Sequence, residues 1–300
     1  MKEKTFETNF RGLNNVNCPF VKAAFKGKDG NVYIGVVLID TGSVDCILNK
    51  SILPLMDDSI INKGKSKRIY SIDSVGSVCQ EVEFEFKMGK EIFFDKFYVN
   101  DSKVFDDMGD GFIGIIGNRF LIKNDLTLDY STETLRSSNE FSGNPLDYEF
   151  FFPMEFGFKQ CDAPVVGLIC KDCDLVMLVD SGANNTIITE HALKEAGISV
   201  ETTNQKGNIT GINYKETETK IGRVNLSFLS VGGTEEDPKI CNYSDKIQVL
   251  QKTKYIMDNL KTPEGEEQMP VSGLLSSSFM HEHKWILDFK NEIIYSLKRA

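Results

Sequence analysis

Residues 36–48 read VVLIDTGSVDCIL, an apolar run that ends at Asp40 and resumes after a short turn. Residues 176–188 read VMLVDSGANNTII and repeat this pattern around Asp180. The two aspartates are 140 positions apart (180 − 40). Because a short apolar run bounded by turn residues is typical of a buried strand, each Asp is predicted to stand at the end of such a strand.

Further pairs of segments occur in the same order in both halves of the chain. Each Asp motif is preceded by a segment that begins with proline, and is followed by an apolar segment and then by one that ends in Asp and an aromatic residue. The pairs are PFVKAAF and PVVGLIC (19–25 and 164–170), GIIGNRFL and GLLSSSFM (114–121 and 273–280), and LTLDY and WILDF (126–130 and 285–289). A repeated order of this kind indicates a duplicated structural unit.

The duplication predicts two lobes related by a pseudo-two-fold axis. The N-terminal lobe spans residues 1–140 and the C-terminal lobe residues 141–300, with the junction near 136–158. The second part of the junction is aromatic and could form a strand shared between the lobes.

Strand patterns dominate the rest of the chain. Residues 81–87, EVEFEFK, alternate strictly, as a half-buried strand does. Short helices are expected at residues 49–56, at 189–196 with Thr189 as N-cap, and at 244–260, where apolar residues recur at helical spacing. The predicted fold class is therefore all-β with a few short helices.

The two Asp motifs suggest acid–base chemistry. If the turns face each other, the carboxyl groups lie so close that both cannot ionise, and the pair shares one proton. A water between them could then be activated to attack an amide carbonyl. The predicted catalytic residues are Asp40 and Asp180, and the predicted supports of the active-site loops are Thr41, Gly42, Ser43, Ser181, Gly182 and Ala183.

These motifs make the chain similar to the pepsin and retropepsin superfamily of aspartic peptidases. Residues 40–43, DTGS, fit the DTG[SA] motif of that family, and residues 180–188 resemble its retropepsin form. Residues 115–117, IIG, match a later loop that packs against the active-site loop in the family, whereas the second copy has Ser276 in place of Gly. The resemblance implies a single-chain, two-lobed aspartic endopeptidase that acts on peptides or proteins and prefers apolar residues on both sides of the scissile bond.

The resemblance also implies β-hairpin flaps that close over the substrate. The candidate hairpins are residues 69–76 and 208–214. The flap residues expected to bind substrate are Ile72, Ser74, Val75, Ile209, Gly211 and Ile212. The alternative interpretation is a pair of ordinary surface hairpins, and the number of flaps stays open.

Composition excludes some other functions. The chain has 44 acidic and 34 basic side chains and a formal net charge of -10. An acidic balance argues against general binding of nucleic acid, which requires a positive field. No apolar stretch is long enough for a membrane helix, and residues 1–10 do not read as a signal peptide. We therefore expect no membrane or nucleic-acid partner, a monomer and a cytoplasmic location, with secretion of a processed form as the alternative.

The cysteines favour a reducing compartment. Seven is an odd number, so a complete disulfide framework would leave one cysteine over. Cys170 and Cys173 form a CxxC motif, but a structural zinc site needs a second ligand pair, and the histidines do not supply one at the usual spacing. We expect no metal and no cofactor.

Two other functions stay open at this stage. The first is a peptide-binding module with the same fold that has lost turnover. The second is an actin-like phosphotransferase, which also has two lobes with an Asp-containing turn in each. That fold needs a Gly-rich hairpin straight after the Asp, and here residues 43–46 (SVDC) and 183–186 (ANNT) follow instead.

Overall fold

The structure, a computed structural model, describes residues 6–13, 16–57, 61–70, 76–138, 148–154, 163–169, 175–210, 216–231, 239–251 and 271–297. These residues form an all-β structure, which confirms the predicted class. The strands of the first half are β1 (Glu7–Leu13), β2 (Val16–Lys26), β3 (Val32–Ile39), β4 (Cys46–Asn49), β5 (Ile61–Tyr70), β6 (Gly76–Met88), β7 (Glu91–Asn100), β8 (Phe112–Ile116), β9 (Leu126–Asp129) and β10 (Thr134–Ser137). Those of the second half are β11 (Tyr148–Pro153), β12 (Val165–Leu168), β13 (Leu175–Asp180), β14 (Ile187–Thr189), β15 (Glu201–Thr210), β16 (Glu216–Leu229), β17 (Ile240–Leu250), β18 (Val271–Ser276), β19 (Trp285–Asp288) and β20 (Ile293–Leu297).

The helices of the described residues are short. They are a 3-10 helix (Lys50–Leu55) and the α-helices α1 (Val104–Asp107), α2 (Asn118–Lys123), α3 (Glu190–Glu195) and α4 (Ser277–Glu282). None of the helices in these ranges is long and apolar enough to cross a membrane. An actin-like fold is a poor match for this strand-dominated architecture.

β3 and β13 position the two Asp motifs. Each pairs antiparallel with the preceding strand, β2 or β12, and parallel with a later strand, β8 or β18. The strand after each motif, β4 or β14, then pairs antiparallel with that later strand. Since strands on both sides satisfy its backbone hydrogen bonds, each motif is held in a rigid frame.

In the described part of the chain, the strands form two sheets. The larger has the order β11-β20-β19-β9-β10-β1-β2-β3-β8-β4-β7-β6-β5, and the smaller β12-β13-β18-β14-β17-β16-β15. The larger sheet joins the two halves of the chain, because β19 pairs with β9 and places Ile286 opposite Asp129. The C-terminal strands are therefore part of the same sheet as the N-terminal ones.

One hydrophobic core extends through both halves. It contains Phe84 and Phe120 from the first half and Phe228 and Phe279 from the second. Trp285 is fully buried in this core, and its ring centroid lies 5.1 Å from that of Phe279. The core thus packs against β3 and β13, the strands that carry the two motifs.

Several sequence predictions are confirmed. Residues 81–87 lie within β6, and residues 148–153 of the predicted junction form β11, which pairs with β20. Helix α3 lies within the predicted range, and the Thr189 side chain accepts a hydrogen bond from the backbone N–H of Ala192. The helix expected at 49–56 is present as a 3-10 helix.

The helix predicted at residues 244–260 is wrong over its first part. Residues up to Leu250 belong to β17, which pairs antiparallel with β16 and parallel with β14. Two partner strands outweigh a local helical spacing, and the β-branched Ile247 and Val249 suit a strand. Residues 252–260 of the predicted helix lie outside the described residues.

Candidate active site

The Asp carboxyl groups are fixed by their own loops. Asp40 directly follows β3, and Asp180 is the last residue of β13. Oδ1 of Asp40 accepts a hydrogen bond from the Gly42 N–H at 2.9 Å, and Oδ1 of Asp180 accepts one from the Gly182 N–H at 2.9 Å. Each carboxyl group is therefore oriented by its own loop, through a turn of the same kind.

The two loops face each other at close range. A Cβ atom added to Gly42 would lie 2.5 Å from Cγ of Asp180, and one added to Gly182 would meet the carboxyl group of Asp40 in the same way. The two carboxyl groups are also close enough for each to affect the pKa of the other. Glycine is thus required at both positions, because each backbone passes directly beside the opposite carboxyl group.

Thr41 and Ser181 join the two loops through four buried hydrogen bonds. The Thr41 hydroxyl accepts from the Ser181 N–H at 2.8 Å and donates to the Val179 carbonyl at 2.6 Å. The Ser181 hydroxyl accepts from the Thr41 N–H at 2.8 Å and donates to the Ile39 carbonyl at 2.7 Å. These bonds fix the relative position of the two Asp residues.

Burial perturbs the titration of both carboxyl groups. Desolvation raises the pKa of Asp40, although hydrogen bonds from Asp180 and from backbone N–H groups oppose the rise. Desolvation, and then the charge of Asp40 and the hydrogen bond to it, raise the pKa of Asp180 well above its usual value. Because the charge of one carboxyl group opposes ionisation of the other, the two groups titrate as a coupled pair.

Ser43 and Ala183 connect each loop to the helix behind it. The Ser43 carbonyl accepts a hydrogen bond from the Asn118 N–H, and the Ala183 carbonyl accepts one from the Ser277 N–H, both at 2.8 Å. The Ala183 N–H also donates to Oδ1 of Asp180 at 3.1 Å. The loop that follows each Asp is therefore anchored at the start of α2 or α4.

Gly117 and Ser276 occupy corresponding positions before these helices. A Cβ atom at Gly117 would lie 2.5 Å from the Asp45 carbonyl oxygen, so the first loop leaves no room for a side chain. In the second loop, the Ser276 hydroxyl caps α4 by accepting from the Phe279 N–H at 3.1 Å, and it lies 3.2 Å from the Thr186 hydroxyl. The departure from Gly at Ser276 is thus accommodated by local hydrogen bonds.

An apolar cluster lies beside each Asp. The first apolar cluster includes Phe20, Leu38, Ile47, Phe105, Phe112 and Ile115, and the second includes Val165, Val176, Leu178, Ile187, Val271 and Leu274. Leu38 and Leu178 each stand two residues before an Asp, and residues at this spacing on a strand share a face. The clusters therefore lie on the same face as the carboxyl groups.

Some residues at the site were not anticipated from the sequence. The Cys18 thiol is buried and donates to the Gly182 carbonyl at 3.3 Å; burial and the two Asp charges raise its pKa. The Tyr130 hydroxyl lies 2.9 Å from the Ser277 hydroxyl, which donates to the Asn17 carbonyl at 2.6 Å. Cys18 immediately precedes the first repeated proline, and that position is the one sequence signal that pointed to it.

Five of the six predicted flap residues lie outside the described part of the chain. They are Ile72, Ser74, Val75, Gly211 and Ile212. Ile209 lies in β15 and packs, partly buried, against the second apolar cluster. Strands β5 and β6 flank the first predicted flap, and strands β15 and β16 flank the second.

Among the described residues, no three His, Cys, Asp or Glu side chains come together in a way that could hold a metal ion. Cys170 and Cys173 lie outside those residues. Among the described residues, Cys18, Cys46, Cys79 and Cys241 are buried and do not form disulfides with one another.

Comparison with known proteins bears on the second Asp motif. Residues 166–279 match the family model described as aspartyl protease. The matched range contains Asp180 and ends within α4, so it includes β13, β14 and β18, the strands that frame this motif. No curated protein matches the chain. The match supports an aspartyl protease family for this chain.

Proposed function

We propose that this protein is an aspartic endopeptidase that hydrolyses peptide bonds with a water activated between Asp40 and Asp180. The main support is the position of two half-buried carboxyl groups from loops 140 positions apart, each of which lies directly beside the glycine of the opposite loop. Peptidase activity is also what the family match at residues 166–279 suggests.

The proposed mechanism uses the proton that the two carboxyl groups share. The ionised carboxylate accepts a proton from the water, which attacks the carbonyl carbon of the scissile amide. The protonated carboxyl group donates its proton to the carbonyl oxygen, and a tetrahedral gem-diol forms. The carboxyl group that took the proton of the water then donates it to the nitrogen of the leaving amine, while the other carboxylate accepts a proton from a gem-diol hydroxyl. The C–N bond breaks, a carboxylic acid and an amine are released, and the pair again holds one proton.

We propose that residues 1–140 and 141–300 form two lobes related by a pseudo-two-fold axis, with the substrate bound between them. The matched turns at Gly42 and Gly182 and the matched anchors at Asn118 and Ser277 support this arrangement. The apolar clusters beside the two Asp residues favour substrates with apolar side chains on both sides of the scissile bond. We further propose that the protein is a cytoplasmic monomer that needs no cofactor.

The test is cleavage of a peptide library, read by mass spectrometry. Asp40→Asn and Asp180→Asn should each abolish cleavage, because an amide can neither accept the proton of the water nor share one with its partner. Asp106→Asn is the matched control, since Asp106 is exposed on α1 and should leave cleavage unchanged. Circular dichroism should show that all three variants are folded.

Two outcomes would contradict the proposal. Full turnover by either active-site variant would remove that residue from the mechanism. Peptide binding without cleavage by the wild-type protein would favour the alternative of a silent peptide-binding module.

A further inference from the structure

The start of β2, in the first half of the chain, contacts the loop that carries Asp180. The Asn17 N–H donates a hydrogen bond to Oδ1 of Asn184 at 3.0 Å, and the Cys18 thiol donates one to the Gly182 carbonyl at 3.3 Å. Asn184 and Gly182 both belong to the turn that follows Asp180. The first half therefore holds the active-site loop of the second half.

Helix α4 fixes the position of this contact. The Ser277 hydroxyl donates to the Asn17 carbonyl at 2.6 Å, and the Ser277 N–H donates to the Ala183 carbonyl at 2.8 Å. Because the Ser277 hydroxyl uses its hydrogen for Asn17, the Tyr130 hydroxyl, 2.9 Å away, donates to it. One residue of α4 therefore holds both the backbone before the thiol and the loop that follows Asp180.

The thiol acts on a peptide unit whose other end points at the carboxyl group of Asp180. The Gly182 carbonyl and the Ala183 N–H belong to the same peptide unit, and this N–H donates to Oδ1 of Asp180 at 3.1 Å. A chain of hydrogen bonds therefore runs from Sγ of Cys18 through this peptide unit to Asp180. Because hydrogen bonds in a chain polarise one another, the thiol strengthens the bond that Ala183 donates.

The position of Cys18 has a counterpart at the first active-site loop. The pairing of β2 with β3 and that of β12 with β13 have the same register relative to Asp40 and Asp180. In this register, Cys18 corresponds to Ala163. Alanine has no side-chain donor, so this position cannot supply the first loop with the bond that Cys18 supplies to the second. The contact is therefore one-sided, and it acts on Asp180.

Titratable groups from several elements interact with Asp180. They are the Asp40 carboxyl group of the opposite loop, the Cys18 thiol of β2 and the Tyr130 hydroxyl, which follows β9. Burial raises the pKa of the thiol, and it raises the pKa of the Tyr130 hydroxyl well above its usual value, so both groups stay neutral at the pH of catalysis. The thiol therefore acts as a neutral donor beside two carboxyl groups that titrate.

We propose that Cys18 is a positioning residue for the proposed reaction: its thiol holds the peptide unit between Gly182 and Ala183 so that the Ala183 N–H points at the Asp180 carboxyl group. This role rests on the proposed peptidase function, in which Asp180 is one of the two catalytic groups. A donor that bonds to a carboxylate stabilises its ionised form. Loss of the thiol should therefore make Asp180 harder to ionise.

The first test compares Cys18→Ser with Cys18→Ala, since these two side chains differ only by a hydroxyl donor. The rate constant kcat/KM for a cleaved peptide is measured against pH, because its two limbs report the ionisations of the free enzyme. Asp180 keeps the last proton of the pair, because its pKa is raised well above the usual value. In Cys18→Ala the alkaline limb should move up by about 0.5 unit, the size expected for a weakened hydrogen bond. The acid limb should not move, and Cys18→Ser should keep a profile close to that of the wild type.

The second test needs no substrate. The carbon resonance of the Asp180 side-chain carboxyl group, assigned by its loss in Asp180→Asn, is titrated by NMR in the wild type and in both Cys18 variants. The midpoint of this titration should move up by about 0.5 unit in Cys18→Ala and stay close to the wild-type value in Cys18→Ser.

Cys79→Ala is the matched control. Cys79 is also buried, but it lies on β6 and its thiol donates to the Ser77 carbonyl rather than to an active-site loop. The change should leave the pH profile and the Asp180 titration unchanged. Circular dichroism checks that each variant is folded.

The outcomes separate this inference from the proposed function. Profiles of Cys18→Ala that overlay those of the wild type would overturn the positioning role. Equal shifts in Cys18→Ser and Cys18→Ala would also overturn it, because the effect would then come from packing rather than from the donor, and so would a shift of the same size in Cys79→Ala. If the wild-type protein cleaves no peptide, the proposed function fails, and the NMR titration still decides whether Cys18 acts on Asp180.

Discussion

Asp40 and Asp180 are half-buried at the ends of two apolar strands, and this position determines how they titrate. Water cannot solvate either charge well, so the neutral form is favoured and both pKa values rise. The neighbouring charge of Asp40 raises the pKa of Asp180 further. The Thr41 and Ser181 hydroxyls prevent the loops from separating to relieve this repulsion. Ionisation of the pair therefore lowers the stability of the folded state.

Replacement of Asp180 by Asn should stabilise the protein at pH 7. A native pKa above the unfolded value means that the native state binds more protons than the unfolded state, so the free energy of unfolding falls as the pH rises between the two values. Asn has no charge to desolvate, so Asp180→Asn should gain roughly 1.4 kcal/mol for each unit by which the pKa is raised. The gain should shrink toward zero as the pH falls to about 4, near the unfolded pKa of Asp.

Urea unfolding of wild type and variant between pH 4 and pH 7 measures this difference. The exposed Asp106→Asn change serves as the control and should show no such trend. A variant that is less stable than wild type at pH 7, or a difference that does not depend on pH, would contradict the prediction.

At the scale of elements, the two halves build the same connection with different residues. In both, a loop after the Asp motif is anchored to the start of a helix, α2 or α4. The first half brings the backbone of Asp45 so close that position 117 must be Gly. The second half leaves room for Ser276, which caps α4. The same supporting element can therefore be kept by either a small residue or a capping residue.

The two positions should respond differently to substitution. Gly117→Ser should cost about 1–3 kcal/mol of stability, because the added side chain must displace the Asp45 backbone. Ser276→Ala should cost about 1 kcal/mol through loss of the helix cap. Gly117→Ser should also reduce peptide cleavage more strongly, since the displaced loop carries Asp40.

Denaturant unfolding and kcat/KM of both variants test this expectation. Gly167→Ala is the control, because a Cβ atom there meets no atom within 4 Å. A Gly117→Ser protein as stable and active as wild type would show that the first loop tolerates a side chain.

At the scale of the whole molecule, strands from both halves of the chain meet in one sheet. β19 pairs with β9, and β11 pairs with β20. Trp285 lies in β19, and its carbonyl accepts a hydrogen bond from the Tyr130 N–H at 3.0 Å. The core and this sheet both contain residues from each half of the chain. Neither half should therefore unfold without disturbing the other.

Unfolding should therefore be a single transition. Trp285 is the one tryptophan of the chain and is fully buried, so its fluorescence reports on the shared sheet, whereas far-UV circular dichroism reports on all strands. The two signals should give the same urea midpoint. A fluorescence change that clearly precedes or follows the circular dichroism change would indicate that the halves unfold separately.

The sequence by itself determined the two Asp motifs, the order of the repeated segments and the predominance of strands. These features are local: an apolar run before an Asp turn, or the alternation of residues 81–87, expresses burial on one face of a strand without reference to distant residues. The cap at Thr189 was predictable for the same reason, since a cap and the helix that it begins are adjacent in the chain.

The tertiary structure alone decided which distant residues meet. It made residues 244–250 part of a strand despite a helical spacing, because partner strands on both sides supply hydrogen bonds. It placed the Cys18 thiol against the Gly182 carbonyl, and it brought Lys67 and Arg119 to one carboxylate. Such contacts depend on how the strands pair and pack, and that energy belongs to the whole fold rather than to any stretch of sequence.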